Sequence, residues 1–162
     1  MKQYILTIDQ GTTSSRCIIF AKDGTVMSSV QYEFEQHYPA NGWVEHAPQD
    51  LLDTVLRACR QCLLDSGLQV NQITCVGITN QRETTLVWDR LTGEAIYPAI
   101  VWQDRRTVKK CEELKKAGHE AMVIDHTGLL LDPYFSATKL NWILEHVEGS
   151  RERAEKGELL FG

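Results

Sequence analysis

Apolar and polar positions alternate in short bursts along the first part of the chain. Gln3 to Ile8 is an apolar, β-branched run that leads to a lone acid, Asp9. Gly11, four hydroxyl residues (Thr12 to Ser15) and Arg16 follow, and Cys17-Ile18-Ile19-Phe20 is apolar again. The pattern predicts a strand at about Gln3 to Ile8, a tight turn, and a second strand at about Ser15 to Phe20. Asp23-Gly24 is a hairpin signal, and a third strand is expected at about Thr25 to Phe34. Three antiparallel strands in a row make a meander. Pro39, Asn41 and Gly42 mark a loop, from which Trp43-Val44-Glu45-His46 leads out. Pro48 suits the first turn of a helix. Leu51, Leu52, Val55, Leu56, Cys59, Leu63 and Leu64 fall on one helical stripe, which Gly67 ends. Ile73 to Thr79 lacks polar alternation apart from Thr74. That predicts a strand buried on both faces and parallel to a neighbour. Meander, helix and buried strand form the first half of an α/β core.

Further on, Thr84 to Trp88 and Ile96 to Val101 read as two more strands, joined through Thr92-Gly93. A helix is expected from about Arg105 to Ala117, with Val108, Cys111 and Leu114 inside and Asp104 as its cap. A shorter helix follows at about His119 to His126. Asp132-Pro133 breaks the chain. Ser136 then suits the cap of a helix running to about His146, with Leu140, Ile143, Leu144 and Val147 inside. Ser150 to Lys156 reads as a short charged helical segment. Glu158-Leu159-Leu160-Phe161-Gly162 begins an apolar run and stops, which predicts a piece of something longer.

Composition narrows the function classes. The 162 residues suffice for one domain with a real core. A net charge of -5 argues against a general nucleic-acid binder. No apolar run approaches the ~18 residues of a membrane span. The N-terminus carries one lysine and a short run broken by Asp9, unlike a signal peptide. Five cysteines sit in apolar patterns, and an odd number of that kind reads as reduced core thiols of a cytoplasmic protein. Cys59-x-x-Cys62 lies in a helical pattern with no second pair and no nearby His, so core packing outweighs a metal or redox role.

Two constellations carry candidate chemistry. The Asp9 to Arg16 turn offers a nucleotide backbone N–H groups, hydroxyl donors and a carboxylate for metal-bound water. An ordinary hairpin rich in Thr and Ser is the plainer reading. The second is Thr79-Asn80-Gln81-Arg82-Glu83-Thr84, directly after the expected buried strand. Ligands of open α/β sheets bind off such carboxyl ends. An adjacent Arg and Glu suit vicinal hydroxyls, each of which gives and takes a hydrogen bond; a surface ion pair is the alternative. Trp102 and Tyr134 follow strand or loop signals and suit the C–H side of a sugar or polyol. Trp43, Trp88 and Trp142 read as structural. Glu45-His46 with Asp50 is too loosely spaced for a metal site, and Arg105 or Arg106 is a further candidate for a ligand cleft.

These motifs resemble a known family. Asp9-Gln-Gly-Thr-Thr-Ser-Ser-Arg16, Gly42-Trp-Val-Glu-His46, Gly77-Ile-Thr-Asn-Gln-Arg-Glu-Thr-Thr85, Ala99-Ile-Val-Trp-Gln103 with Arg105-Arg-Thr107, Asp132-Pro-Tyr-Phe-Ser136 and Glu148-Gly-Ser-Arg-Glu-Arg153 are similar to the glycerol kinase branch of the FGGY carbohydrate kinases. Asn80-Gln-Arg-Glu-Thr84 is the discriminating piece. The resemblance implies the N-terminal part of domain I of a two-domain kinase. The fold would be an α/β, ribonuclease-H-like ATPase fold of the actin/hexokinase type, incomplete here. It implies MgATP-dependent phosphorylation of glycerol to sn-glycerol 3-phosphate by a cytoplasmic homo-oligomer. Thr12, Thr13 and Ser14 would contact the nucleotide phosphates with Arg16 beside them, and Asp9 would hold magnesium through water. Arg82, Glu83 and Tyr134 would bind glycerol hydroxyls, and Trp102 would pack on its carbon chain. The family's general base is an aspartate in a Gly-Asp-Gln context, which this sequence lacks, so no catalytic base is assigned here. The alternatives are a kinase of the same group acting on another polyol or sugar, and a non-catalytic actin-like nucleotide-binding module.

Overall fold

β1 (Tyr4–Gln10), β2 (Ser14–Ala21) and β3 (Val26–Glu33) form the expected antiparallel meander. The computed structural model describes residues 3–162. These fall into two compact units, one made of residues up to Gln36 with Ala47–Gln81, the other of His37–His46 with Arg82–Gly162.

In the first unit the β2–β3 turn is closed by Gly24 N–H on the Ala21 carbonyl at 3.0 Å. Gly24 has φ +86°, a conformation that side-chain-bearing residues adopt only with strain. The helix α1 (Pro48–Ser66) starts on Pro48 and ends at Gly67, as expected. Beyond it β5 (Ile73–Thr79) runs parallel to β1, giving the sheet order β3-β2-β1-β5. Tyr4, Leu6, Cys17 and Ile19 of the sheet meet Ala58 and Cys62 of α1 in the core.

Three expectations fail in this unit. The buried line of α1 is Thr54, Ala58 and Cys62, while Leu52 and Leu56 are exposed and Leu64 is 74% exposed. Small residues occupy the centre, and the Thr54 hydroxyl meets the Ser15 hydroxyl at 2.8 Å on buried sheet. The leucine pattern blends the contact line with its flanks. β5 is parallel but not buried on both faces: Val76 is 54% and Ile78 72% exposed. It is the outer strand of this sheet. A β-branched run records a preference for strand, whereas burial requires a covering layer. Cys75 lies on the same strand and is exposed, so it is not the core thiol expected, and Cys59 is only half-buried.

The second unit pairs β4 (Glu45–His46) with β7 (Ala99–Ile100) and β6 (Val87–Asp89) with β8 (Leu159–Phe161), both antiparallel. Four helices accompany them: α2 (Val108–Lys116), α3 (Glu120–Thr127), α4 (Ser136–His146) and α5 (Ser150–Glu155). Val87, Ile100 and Ile143 form the core. The α4 bounds match the sequence expectation, but Ser136 is not its cap. It is the first helical residue, preceded by Phe135 at the cap position, and its polar atoms serve Glu83 instead. α2 starts at Val108 rather than Arg105, with Thr107 at the cap position. Asp104 is therefore no helix cap; its carboxylate is committed inside the unit.

Candidate functional site

In the first unit Asp9 pairs across the sheet with Arg16 on β2 and Thr79 on β5. Partners in register share a face. Tyr4, Leu6, Cys17 and Ile19 occupy the face packed on α1, so Asp9, Ser14, Arg16 and Thr79 occupy the other. The Arg16 guanidinium donates to Gln31 Oε1 at 2.6 and 3.0 Å, and Gln31 Nε2 donates to Ser14 Oγ at 2.8 Å. Thr12 and Thr13 lie in the turn itself. Gly11 N–H donates to the Ser14 carbonyl at 2.9 Å. A Cβ at Gly11 would stand 3.1 Å from that oxygen, which explains the glycine at the head of the turn.

In the second unit Glu83 has φ +63°, the one non-glycine in the left-handed region among the described residues. Such a backbone costs a side-chain-bearing residue about 1–2 kcal/mol. Its carboxylate Oε2 accepts the N–H of Ser136 at 2.9 Å and the Ser136 hydroxyl at 2.7 Å. The acid is thus fixed to the start of α4. Tyr134, two residues earlier, meets Trp102 edge to face with ring centroids 5.8 Å apart. Trp102 N–H donates to the Thr84 hydroxyl at 3.4 Å. Glu83, Trp102 and Tyr134 are therefore joined by short links, and the exposed Arg82 adjoins Glu83 in the chain.

Residues 4–161 match the N-terminal domain of the FGGY family of carbohydrate kinases. The chain belongs to that family. It is 59% identical to glycerol kinase 1 of Pseudomonas aeruginosa and 60% identical to a glycerol kinase of Ectopseudomonas mendocina. Each alignment covers all of this chain and 33% of the relative, so the chain spans about a third of the length of these curated relatives. Among solved structures, the glycerol kinase of Plasmodium falciparum with ADP superposes with a TM-score of 0.92 at 29% identity, covering 99% of this chain and 32% of that one. A xylulose kinase from Rhodospirillum rubrum reaches 0.80 at 21% identity over 96% of this chain and 31% of its own; at that identity it supports the fold alone. The α/β sugar-kinase fold of the actin/hexokinase type is the one expected. No helix among the described residues is long and apolar enough to cross a membrane.

Two charged centres in this FGGY chain escape a reading of the sequence. The Arg106 side chain is fully buried and bridges Asp104 Oδ2 at 2.8 Å and Glu45 Oε1 at 2.7 Å. Its guanidinium lies 3.9 Å from the Trp43 ring centroid and 4.6 Å from that of Trp142. Burial opposes its charge, but the hydrogen bonds it donates to Asp104 and Glu45 outweigh that and raise its pKa. Asp104 also accepts the N–H groups of Val44 at 2.6 Å and Arg106 at 2.8 Å. Arg106 is thus a structural cation, not the ligand-cleft candidate suggested by its place in the chain, while Arg105 is exposed and pairs with Asp132 at 3.4 Å. The local signal is Asp104-x-Arg106, but Glu45 is 61 residues away. The other centre, Lys139, is fully buried and donates to the carbonyls of Pro133, Tyr134 and Phe135. A lysine in a helix gives no sign of this, since it ordinarily reaches water.

Proposed function

We propose that this chain is the N-terminal part of domain I of a MgATP-dependent glycerol kinase, which phosphorylates glycerol to sn-glycerol 3-phosphate. The observation that carries the reading is Glu83, held in a left-handed backbone by Ser136 beside the Trp102–Tyr134 pair. A strained residue over-determined by its neighbours points to function. Both bonds from Ser136 go to Oε2, so Oε1 is available to a ligand hydroxyl. Arg82 supplies donors next to it, Tyr134 a hydroxyl, and the Trp102 face covers the carbon chain. A site that bonds each hydroxyl rejects analogues lacking one.

In the first unit, Thr12, Thr13 and Ser14 bind nucleotide phosphates and Arg16 stands beside them. Asp9 is a lone carboxylate on the same sheet face as Ser14. One carboxylate with hydroxyls nearby fits a hydrated magnesium, which takes most of its ligands from water and phosphate. When bound, magnesium neutralises phosphate charge. The chain's own contribution is positioning, the larger part of phosphoryl transfer. The attacking hydroxyl's proton goes to a base outside this chain, as the family resemblance implies. Free thiols throughout fit a cytoplasmic enzyme, and the family resemblance carries the homo-oligomer.

Arg82→Ala in the full-length enzyme tests the reading. Loss of a charge-assisted hydrogen bond is worth about 1.5–3 kcal/mol, so the glycerol KM is expected to rise about 10- to 100-fold. An unchanged glycerol KM would refute the polyol assignment.

A further inference from the structure

Residues 132–136 form the short link into α4, and their backbone is bonded with unusual completeness. Tyr134 N–H donates to Asp132 Oδ1 at 2.9 Å, Phe135 N–H to the Asp132 carbonyl at 3.1 Å, and Ser136 N–H to Glu83 Oε2 at 2.9 Å. On the acceptor side, Lys139 Nζ takes the three consecutive carbonyls: Pro133 at 3.0 Å, Tyr134, and Phe135 at 3.1 Å. All three ammonium protons are used. Burying such a group is costly unless every donor finds a partner and opposite charge stands near. Glu83, Asp104 and Asp132 supply that charge, with Cys111 the remaining titratable group that acts on it.

We propose that Lys139 is the positioning residue of the polyol site: its ammonium fixes the 133–136 segment, and through it the Tyr134 ring and the Glu83 carboxylate, without touching substrate. The proposal rests on the reading of Glu83 and Tyr134 as glycerol ligands. Three carbonyls drawn to one cation set the backbone on which Tyr134 stands. Ser136, the next residue, then presents both its N–H and its hydroxyl to Glu83. No other side chain touches the segment at so many points among the bonds described.

The site also has a built-in dependence on pH. Burial lowers the Lys139 pKa to about 8, against the raising influence of Glu83, Asp104, Cys111 and Asp132. A neutral amine keeps two donors for three carbonyls, so the segment loosens as pH rises through that value.

The test compares Lys139→Met, Lys139→Arg and Arg82→Ala in the full-length enzyme, with steady-state kinetics and amide hydrogen exchange. In Lys139→Met the bonds to a charged donor are lost, so the glycerol KM rises about tenfold or more while the ATP KM changes less than about twofold. The Tyr134 and Ser136 amides exchange about tenfold faster or more. Lys139→Arg, which keeps the charge, recovers part of both effects. Unchanged exchange in Lys139→Met overturns the proposal. So does a glycerol KM unmoved by Lys139→Met while Arg82→Ala raises it. If neither substitution moves the glycerol KM, the polyol reading falls and the proposal falls with it. Should Lys139→Met fail to fold, the unmodified enzyme decides. Its glycerol KM must climb as pH rises through about 8 with the ATP KM flat, and a glycerol KM flat well past that pH overturns the proposal.

Discussion

Replacing Arg106 by methionine in the full-length protein removes a buried cation and leaves most of its packing volume. Asp104 loses bonds from Arg106 Nε at 2.9 Å and from the terminal nitrogen at 2.8 Å, but keeps the two backbone donors, Val44 and Arg106. Glu45 loses its 2.7 Å bond and keeps the Tyr97 hydroxyl at 2.8 Å. Breaking such a pair from one side costs about 3–5 kcal/mol. Contacts of the guanidinium with Trp43 and Trp142 add up to about 2 kcal/mol when desolvated. Against a domain stability of about 5–15 kcal/mol, this is a large share. The assay is hydrogen exchange at Val44, whose amide bonds Asp104 directly, together with urea unfolding. At about 1.4 kcal/mol per tenfold, exchange at Val44 should accelerate by about two to five orders of magnitude. Adding Glu45→Gln should recover about 1–3 kcal/mol, because one of the two uncompensated carboxylates is gone. A loss below about 1 kcal/mol with Val44 protection intact would show that the cluster does not hold this unit together.

Three further outcomes follow from features described above. His46 is fully buried, and burial, then the charge of His37, lowers its pKa from 6.5 to about 4. The folded value lies below the unfolded one, so its contribution is complete above about pH 6.5 and is lost as pH falls toward 4. At about 1.4 kcal/mol per pH unit the limit is about 3 kcal/mol; a pH series of urea unfolding should show this limb, and His46→Gln should flatten it. An identical slope in the variant would count against it. Glu83→Gly and Glu83→Ala should both impair glycerol binding, yet the glycine variant should be more stable by about 1–2 kcal/mol because it relieves the left-handed backbone; equal thermal stability would remove the strain from the account. The 162-residue chain by itself should show no glycerol-dependent ATP turnover in a coupled assay, since no Gly-Asp-Gln base is present, and turnover near that of a complete kinase would overturn the placement of the base.

Local signals made much of the fold legible. The meander, the Asp23-Gly24 turn, Pro48 at the head of α1 and the span of α4 all follow from neighbours in sequence. What stayed hidden depends on partners far along the chain. Glu45 and Arg106 meet across 61 residues, and Ser136 reaches Glu83 across 53. Ser136 and Asp104 looked like helix caps because short polar side chains before a helix usually serve that end; here long-range acceptors and donors claimed them. The α1 stripe misled for a different reason. Leucines flag the apolar half of a helix, while the line of closest approach to a sheet needs Thr54, Ala58 and Cys62. Type, position and the family resemblance name the candidate site residues, but not the groups that hold Glu83 and Tyr134, which are Ser136 and Lys139.

β5 has a practical side for anyone handling this chain in isolation. Among the described residues no strand pairs with its outer rim, Val76 and Ile78 are largely exposed beside it, and the thiol of Cys75 lies on the same strand. Such a rim is a template for another copy. These 162 residues made alone should therefore self-associate strand to strand as their concentration rises, and reductant would address only the sulfur, not the rim. A charge placed at Ile78, or a proline on the outer rim, would be the rational first change for keeping it monodisperse.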